Sequence, residues 1–216
     1  MRIKKISLLL VTAVLTLGLA GCMPKGKVKL PEGDVKIAKQ QIQGVLDFML
    51  QSAEYGPDKS IIASMLLPED AAYDLILSRE QYKDGNLVET KEITTYTTGT
   101  IAKDDMIHMV INAGKISEDE SIKTIYSVAE VDSEKTTKKE QPVYKVAKVK
   151  EAALNYDLKS DVAQVGKNLD EEVVLTGYVK FKDADTEKVA INLDTYKEEV
   201  SKYAEVNIVK VKVTKK

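Results

Sequence analysis

The chain has 216 residues, of which 44% are hydrophobic and 31% charged, and its 32 Lys and Arg nearly balance its 34 Asp and Glu. This is the composition of an ordinary globular protein, and it argues against a disordered or collagen-like chain. Arginine occurs only at Arg2 and Arg79. Because arginine is the usual protein partner of phosphate groups, we expect no nucleic-acid partner. No part of the chain has the pattern of a multi-span membrane protein.

The first 21 residues have the layout of an export signal. A basic start over residues 2–5 precedes an apolar stretch over residues 6–19, and small residues close the segment at 20–21. The apolar stretch is shorter than the about 20 residues that a membrane-spanning helix needs. The segment runs into Leu19-Ala20-Gly21-Cys22, and Cys22 is the single cysteine of the chain.

This run resembles the lipobox of bacterial lipoproteins, in which a leucine and two small residues precede a cysteine. The resemblance covers the first 22 residues. It implies that Cys22 carries a thioether-linked diacylglycerol, that residues 1–21 are removed, and that acyl chains anchor the protein stably in a membrane. The alternative is a plain secretory signal followed by a free thiol, which is an awkward residue in an oxidising compartment. We therefore expect a lipid-anchored protein on the extracytoplasmic face of the cell membrane, or of the outer membrane if the host has one.

Residues 22–33 form the expected lipidated cysteine and flexible tether. The stretch from 23 to 33 contains two Pro, two Gly and few apolar residues, which favours an irregular linker. Its lysines Lys25, Lys27 and Lys29 are either attracted electrostatically to an anionic membrane surface or are solvated charges of the linker. Removal of residues 1–21 leaves 29 basic against 34 acidic residues, so the mature chain is expected to carry a net charge of −5.

The pattern after the tether predicts three helices. The first starts at Asp34 as a cap and ends before Gly56-Pro57, the second starts at Asp58 or Ser60, and the third starts at Pro68. Apolar residues at three- and four-residue spacing support them: Ala38, Ile42, Val45, Leu46, Met49 and Ala53 in the first, Ile61, Ile62, Met65 and Leu66 in the second, Ala72, Leu75 and Ile76 in the third.

After Asp84-Gly85 the hydrophobic period changes from 3.6 to 2, which favours strands. We expect an antiparallel meander of four strands, over residues 93–102, 106–112, 122–131 and 143–149. The later part of the chain predicts a short helix within 158–169, a strand over 173–182, a short helix over 195–203 and a last strand over 206–213. In the strand 173–182, we expect Val173, Leu175, Val179 and Phe181 to share one face.

Helices followed by strands predict an α+β fold, with N-terminal helices packed on a mainly antiparallel, curved β-sheet. We expect a single domain over residues 34–216, with a possible subdivision near residue 150. This order of elements resembles NTF2-like and cystatin-like folds, in which N-terminal helices pack on a curved antiparallel sheet. Such folds do not by themselves specify a function.

His108 is the only histidine, so any Ser-His or Cys-His mechanism has to use it. In the predicted strand 106–112 it shares a face with Met106 and Val110, while the other face is also apolar. We therefore expect a strand that is central in a sheet or lines a cavity. The alternative to catalysis is a hydrogen-bonded histidine at the edge of a core, and one histidine cannot build a multi-histidine zinc site.

Four tyrosines lie in predicted strands and could line one concave face together with His108. They are Tyr96, Tyr126, Tyr144 and Tyr178. We consider these five residues as the lining of a possible pocket. The alternative is that the tyrosines are amphipathic residues at the edge of a core.

Asp183, Asp185 and Glu187 have the one-three-five spacing of a calcium loop. Lys188 stands where that loop requires glycine for its turn, so the pattern favours an acidic hairpin turn over a calcium site. We expect no cofactor.

The chain contains no Gly-rich phosphate loop, no GxSxG elbow and no HExxH motif. We therefore expect a non-catalytic module that binds a small ligand or another envelope protein through its sheet. Two alternatives stay open: a lipid-anchored hydrolase that uses carboxylates or His108, and a structural or assembly accessory protein with a broad apolar patch.

Overall fold

A computed structural model describes residues 31–102, 105–116, 122–132, 142–183 and 188–216. These residues form eleven strands and two short helices. The strands are β1 (Val35–Lys39), β2 (Ser60–Leu66), β3 (Tyr73–Lys83), β4 (Asn86–Thr97), β5 (Met106–Asn112), β6 (Thr124–Val131), β7 (Tyr144–Glu151), β8 (Leu158–Asp161), β9 (Gln164–Lys167), β10 (Glu172–Lys180) and β11 (Glu205–Lys215). The helices are α1 (Val45–Ser52) and α2 (Tyr196–Glu199), and α2 continues into a 3-10 turn over Val200–Lys202.

The strands form two sheets in which every pairing between strands is antiparallel. The six-stranded sheet has the order β7-β6-β5-β2-β1-β9, and the five-stranded sheet has the order β4-β3-β11-β10-β8. The strands β5, β6 and β7 are consecutive neighbours, so this part is a meander. The strand β11 at the end of the chain lies in the middle of the five-stranded sheet, between β3 and β10.

The main core lies between the two sheets. Ile37, Met65 and Ile107 of the six-stranded sheet belong to the same buried cluster as Leu77 and Val211 of the five-stranded sheet. Burial alternates along β5 and β6, as expected for strands that turn one face to a core and the other outward. The described part of the chain is therefore a β-sandwich.

The chain joins the two sheets at one side of the sandwich. It leaves β8 in the five-stranded sheet and enters β9 in the six-stranded sheet after only two residues, Val162 and Ala163. The amide of Val162 donates to Leu175 O in β10 at 2.9 Å, and Ala163 O accepts from Lys39 N in β1 at 2.9 Å. On the other side, Arg79 of β3 forms an ion pair with Glu151 of β7 at 3.2 Å.

The predicted α+β fold is wrong, and so is the predicted set of N-terminal helices on a sheet. Residues predicted as three helices form β1, α1, β2 and the start of β3. The apolar pairs Ile61-Ile62 and Met65-Leu66 satisfied a helical spacing. They also suit a strand such as β2, which lies inside a sheet between β1 and β5. Periodicity alone does not separate these cases in short apolar runs.

Three further expectations need correction. Residues 158–169 contain the strands β8 and β9 rather than a helix. The strand predicted over 93–102 overlaps β4 only over 93–97, and β4 belongs to the five-stranded sheet and not to the meander. In β10 an irregularity in pairing with β11 between Val174 and Thr176 shifts the alternation. As a result Val173 and Leu175 lie in the main core, whereas Val179 and Phe181 lie in a second cluster on the other face.

Other predicted elements are confirmed. The strand over 106–112 is β5, and it is central in its sheet, between β2 and β6. The predicted strands 122–131, 143–149, 173–182 and 206–213 correspond to β6, β7, β10 and β11 within a few residues. Within the described ranges, no helix has the length and apolar character to span a bilayer.

Candidate functional site

The outer face of the five-stranded sheet is covered by the segment 188–203, which contains α2. Gly177 of β10 makes room for this cover, because a Cβ there would lie 3.0 Å from Leu193 and 3.1 Å from Ile191. Buried residues of the sheet and of the segment form a second cluster: Tyr82, Val179, Phe181, Ile191, Tyr196, Val200, Tyr203, Val206 and Ile208. The part of this face that lies under the segment is therefore an internal surface.

A buried ion pair lies under the cover. Lys210 of β11 donates to the carboxylate of Glu80 in β3 and, at 2.8 Å, to Glu172. The hydroxyls of Tyr82 and Tyr196 donate to Glu80 at 2.8 Å each. Burial acts to raise the pKa of Glu80, but the hydrogen bonds from Lys210, Tyr196 and Tyr82 outweigh it and lower that pKa. These groups satisfy one another and attach α2 to the sheet.

The outer face of the six-stranded sheet differs, because no described helix or loop packs over it as the segment 188–203 does over the other sheet. We call this surface the open face. Ser64 at its centre is buried and the side chains around it are half-buried, and on the edge strand β7 Tyr144 is 45% and Val146 58% exposed. The open face consists of Ala38, Ile62, Ser64, Leu66, Met106, His108, Val110, Ile125, Ser127, Ala129, Tyr144 and Val146.

His108 lies at the centre of the open face. Its Nδ1 is 3.0 Å from the Oγ of Ser64, its direct neighbour across the β2–β5 pairing. The ring also makes an edge-to-face contact with Tyr144, at 6.0 Å between ring centres. Burial lowers the pKa of His108, so the imidazole is neutral at pH 7 and one of its nitrogens is an acceptor.

The structure separates the residues that were expected to line one pocket. Tyr126 and Tyr178 are almost fully buried between the sheets, and Tyr96 packs against the same core. Only Tyr144 lies beside His108 on the open face. Of the five residues of the possible pocket, the structure therefore brings two together.

The described residues also form clefts away from the open face, of which two concern candidate chemistry. A groove of about 520 Å³ lies between the β8–β9 corner, the start of β10 and the segment 191–196. A smaller cleft of about 330 Å³ is lined by Tyr156 and by charged residues, which are Lys39, Asp58, Lys59, Lys115, Asp157, Lys159 and Asp161. We call it the lysine cleft.

The charged groups of the lysine cleft largely neutralise one another. Asp161 contacts both Lys39, at 2.6 Å, and Lys159, at 3.0 Å. Lys159 also donates to the backbone oxygens of Pro57, at 2.8 Å, and Ser60. Burial lowers the pKa of Lys159, against the opposite effect of Asp161. Lys159 is thus held by three acceptors and joins β8 to the loop before β2 and to the start of β2.

Other candidate residues lie outside the described residues. Cys22 and the signal segment belong to this group, as do Asp185 and Glu187, whereas Asp183 is the last residue before a gap. In the described ranges no group of three or more His, Cys, Asp or Glu side chains is arranged to hold a metal ion.

The sequence did not point to Ser64 as a neighbour of His108, nor to Glu80 and Lys210 as partners. The first pair is separated by 44 residues and the second by 130. No local pattern carries such information, because these contacts depend on which strands pair and in which register.

Searches for similar proteins gave no match, whether against protein-family models, curated proteins or solved structures.

Proposed function

We propose that this protein is a lipid-anchored module of the cell envelope that binds another protein through the open face. The lipobox-like run ending in Cys22 supports the anchor. The contrast between the two outer faces supports the binding role: one is partly covered by the segment 188–203, and the other presents half-buried apolar side chains around His108. Uncovered apolar surface of this kind is typical of interaction sites.

The shape of the open face favours a protein over a small ligand. Five strands about 4.8 Å apart and about seven residues long span an area of roughly 20 by 20 Å. Small-molecule sites are concave, and both clefts lie away from this face. An area of about 400 Å² is about half of what each partner contributes to a standard interface. We therefore expect the contact to extend onto rim lysines such as Lys36, Lys148 and Lys150.

A site-specific cross-linking experiment tests this function. A photoreactive residue is placed at Val146 on the open face and, as a matched control, at Val88 on β4, since these side chains are 58% and 52% exposed. In membranes of the native host, we expect one protein adduct of defined mass from position 146 that is absent from position 88. The substitution Val110→Lys, in the middle of the open face, should abolish that adduct without unfolding the protein.

Equal adducts from both positions, or an adduct that survives Val110→Lys, would contradict binding through the open face. Attachment to the membrane without any adduct from position 146 would also contradict it, while leaving the lipid anchor intact.

A second candidate function rests on the 3.0 Å contact between Ser64 and His108. A neutral histidine beside a serine hydroxyl is the first element of a hydrolase site. However, no described carboxylate accepts a hydrogen bond from His108 to orient its ring. Ser64 also lies within a regular strand, and not at a turn where convergent backbone amides could form an oxyanion hole. The pair therefore supports catalysis less well than it supports a hydrogen-bonded surface.

The two functions are separated by a fluorophosphonate probe, which labels activated serines. We expect no labelling at Ser64 in the wild-type protein, and we expect Ser64→Ala to keep the adduct at position 146. Labelling of Ser64 that disappears in His108→Gln would instead establish the hydrolase function. In the lysine cleft, Asp161 forms ion pairs with both Lys39 and Lys159. A carboxylate that is paired in this way is a poor candidate for an acid or a base in catalysis.

A further inference from the structure

The helix α1 exposes apolar side chains. Val45 is 76%, Phe48 70% and Met49 60% exposed, and no residue of the helix is buried. These positions follow the i, i+3, i+4 spacing, so their side chains lie on one side of the helix. An eight-residue helix is marginal on its own, and a surface helix normally packs its apolar side against a core. The apolar side of α1 is therefore not packed against the described part of the chain, as such helices usually are.

The helix lies at one end of the sandwich, together with a second exposed apolar residue. The segment containing α1 joins the last residue of β1, Lys39, to the first residue of β2, Ser60. The loop after β5 reaches the same end, since Ala113 N donates to Lys59 O at 2.8 Å. In this loop Ile116 is 59% exposed. We call this the α1 end of the sandwich.

Charges at the α1 end are balanced among the described residues. Its lysines are Lys39, Lys59, Lys115, Lys123 and Lys159, and its carboxylates are Asp47, Glu54, Asp58, Asp157 and Asp161. The sequence adds three carboxylates, Glu118, Asp119 and Glu120, shortly after Ile116, so there is no excess of positive charge to attract an anionic surface. Contact at this end must therefore depend on the apolar side chains.

The chain outside the structure allows this end to reach the membrane. The nine residues that separate Pro31 from Cys22 can span about 30 Å when extended. The strand β1, which leads from the tether to the α1 end, is only about 15 Å long. A lipid attached at Cys22 can therefore lie in a bilayer that touches the α1 end.

We propose that α1 and Ile116 form a second membrane contact, in which the apolar side of α1 inserts into the interface of the bilayer that holds the anchor. This inference rests on the lipid anchor of the proposed function. A helix of eight residues is about 12 Å long. One side of so short a helix has a much smaller surface than the roughly 800 Å² that each partner buries in a stable dimer. Because the strands run between the two ends of the sandwich, this orientation leaves the open face free for a protein partner.

The chain contains no Trp, so a single introduced Trp reports its own surroundings. The lipidated protein is purified with Phe48→Trp or, as a control, Val146→Trp, and is reconstituted in phosphatidylcholine vesicles with and without brominated chains. For Phe48→Trp we expect emission at shorter wavelength and at least about twofold more quenching by brominated lipid than for Val146→Trp. Val45→Ser and Met49→Ser, added to Phe48→Trp, should remove most of the quenching without changing stability, since both positions are exposed.

Several results would overturn the inference. One is solvent-like, unquenched emission of Phe48→Trp in a chain that mass spectrometry shows to be lipidated, which leaves the anchor intact. A second is stronger quenching at position 146, which would place the open face on the membrane. A third is a concentration-dependent shift before lipid is added, which would indicate a second copy on α1. A chain that carries no lipid on Cys22 would contradict both the anchor and this contact.

Discussion

The ion pair of Glu80 and Lys210 shows how single residues hold the cover on the five-stranded sheet. Both side chains are largely withdrawn from solvent, and the carboxylate also accepts from Tyr82 and Tyr196. Tyr196 is the first residue of α2, so this hydrogen bond attaches the covering segment. Removal of one member of a buried pair leaves the other charge without compensation.

We predict that Lys210→Met lowers the free energy of unfolding by about 3–5 kcal/mol. Lys212→Met, two residues along the same face of β11, should change it by less than about 0.5 kcal/mol. Urea unfolding at pH 7 measures both. Because the fold lowers the pKa of Glu80 below its ordinary value of 4.5, the pair stabilises the fold above that pH. The difference between wild type and Lys210→Met should therefore shrink as the pH falls below about 4.5. Equal losses for the two variants would contradict a special role of the pair.

His108 shows what residue-level reasoning can and cannot reach. The alternation of β5 correctly placed it with Met106 and Val110 on one face of a central strand. That its neighbour is Ser64 follows from the pairing of β2 with β5. The sequence pattern predicts a helix at the position of β2, and a helix there would not pair with β5. The sequence therefore gives no indication that Ser64 contacts His108.

Among the elements, β9 depends on a very close approach of the chain before β1. A Cβ on Gly166 would lie 1.8 Å from Glu32 O, closer than any real contact allows. We predict that Gly166→Ala destabilises the fold by about 1–3 kcal/mol, because the backbone has to separate. Gly99→Ala is the control, since its Cβ would have no neighbour nearer than 3.8 Å. Unfolding curves of the two variants measure the difference, and similar stabilities would show that residues 31–34 can shift without cost.

The errors at the element scale share one cause. The strand β2 carries apolar residues on the open face as well as on the core face, so that apolar residues occupy adjacent positions and imitate a helical spacing. Burial alternates along β5 and β6, which turn one face to the core and the other outward. The shift in β10 likewise depends on its register with β11, which no local pattern records.

At the scale of the whole molecule, the described residues cover part of one outer face of the sandwich and leave the open face without such a cover, and the proposed anchor would hold the sandwich at a membrane. We predict that Cys22→Ser releases the protein from the membrane fraction and abolishes incorporation of radiolabelled lipid. The physical reason is that acyl chains on Cys22 would supply most of the membrane affinity, whereas α1 alone would bind a membrane only reversibly. Fractionation of wild type and variant from the same host measures this. Identical behaviour of the two proteins would contradict the anchor.

The sequence by itself determined the strands whose side chains alternate, the central position of β5 and the absence of familiar catalytic motifs, because these properties are written in local spacing. Only the tertiary structure decided that the fold is a β-sandwich, which sheet each strand joins and which outer face is covered. These features depend on pairings between distant segments, such as β3 with β11 and β2 with β5. Their stability comes from contacts that the local pattern of either strand does not contain.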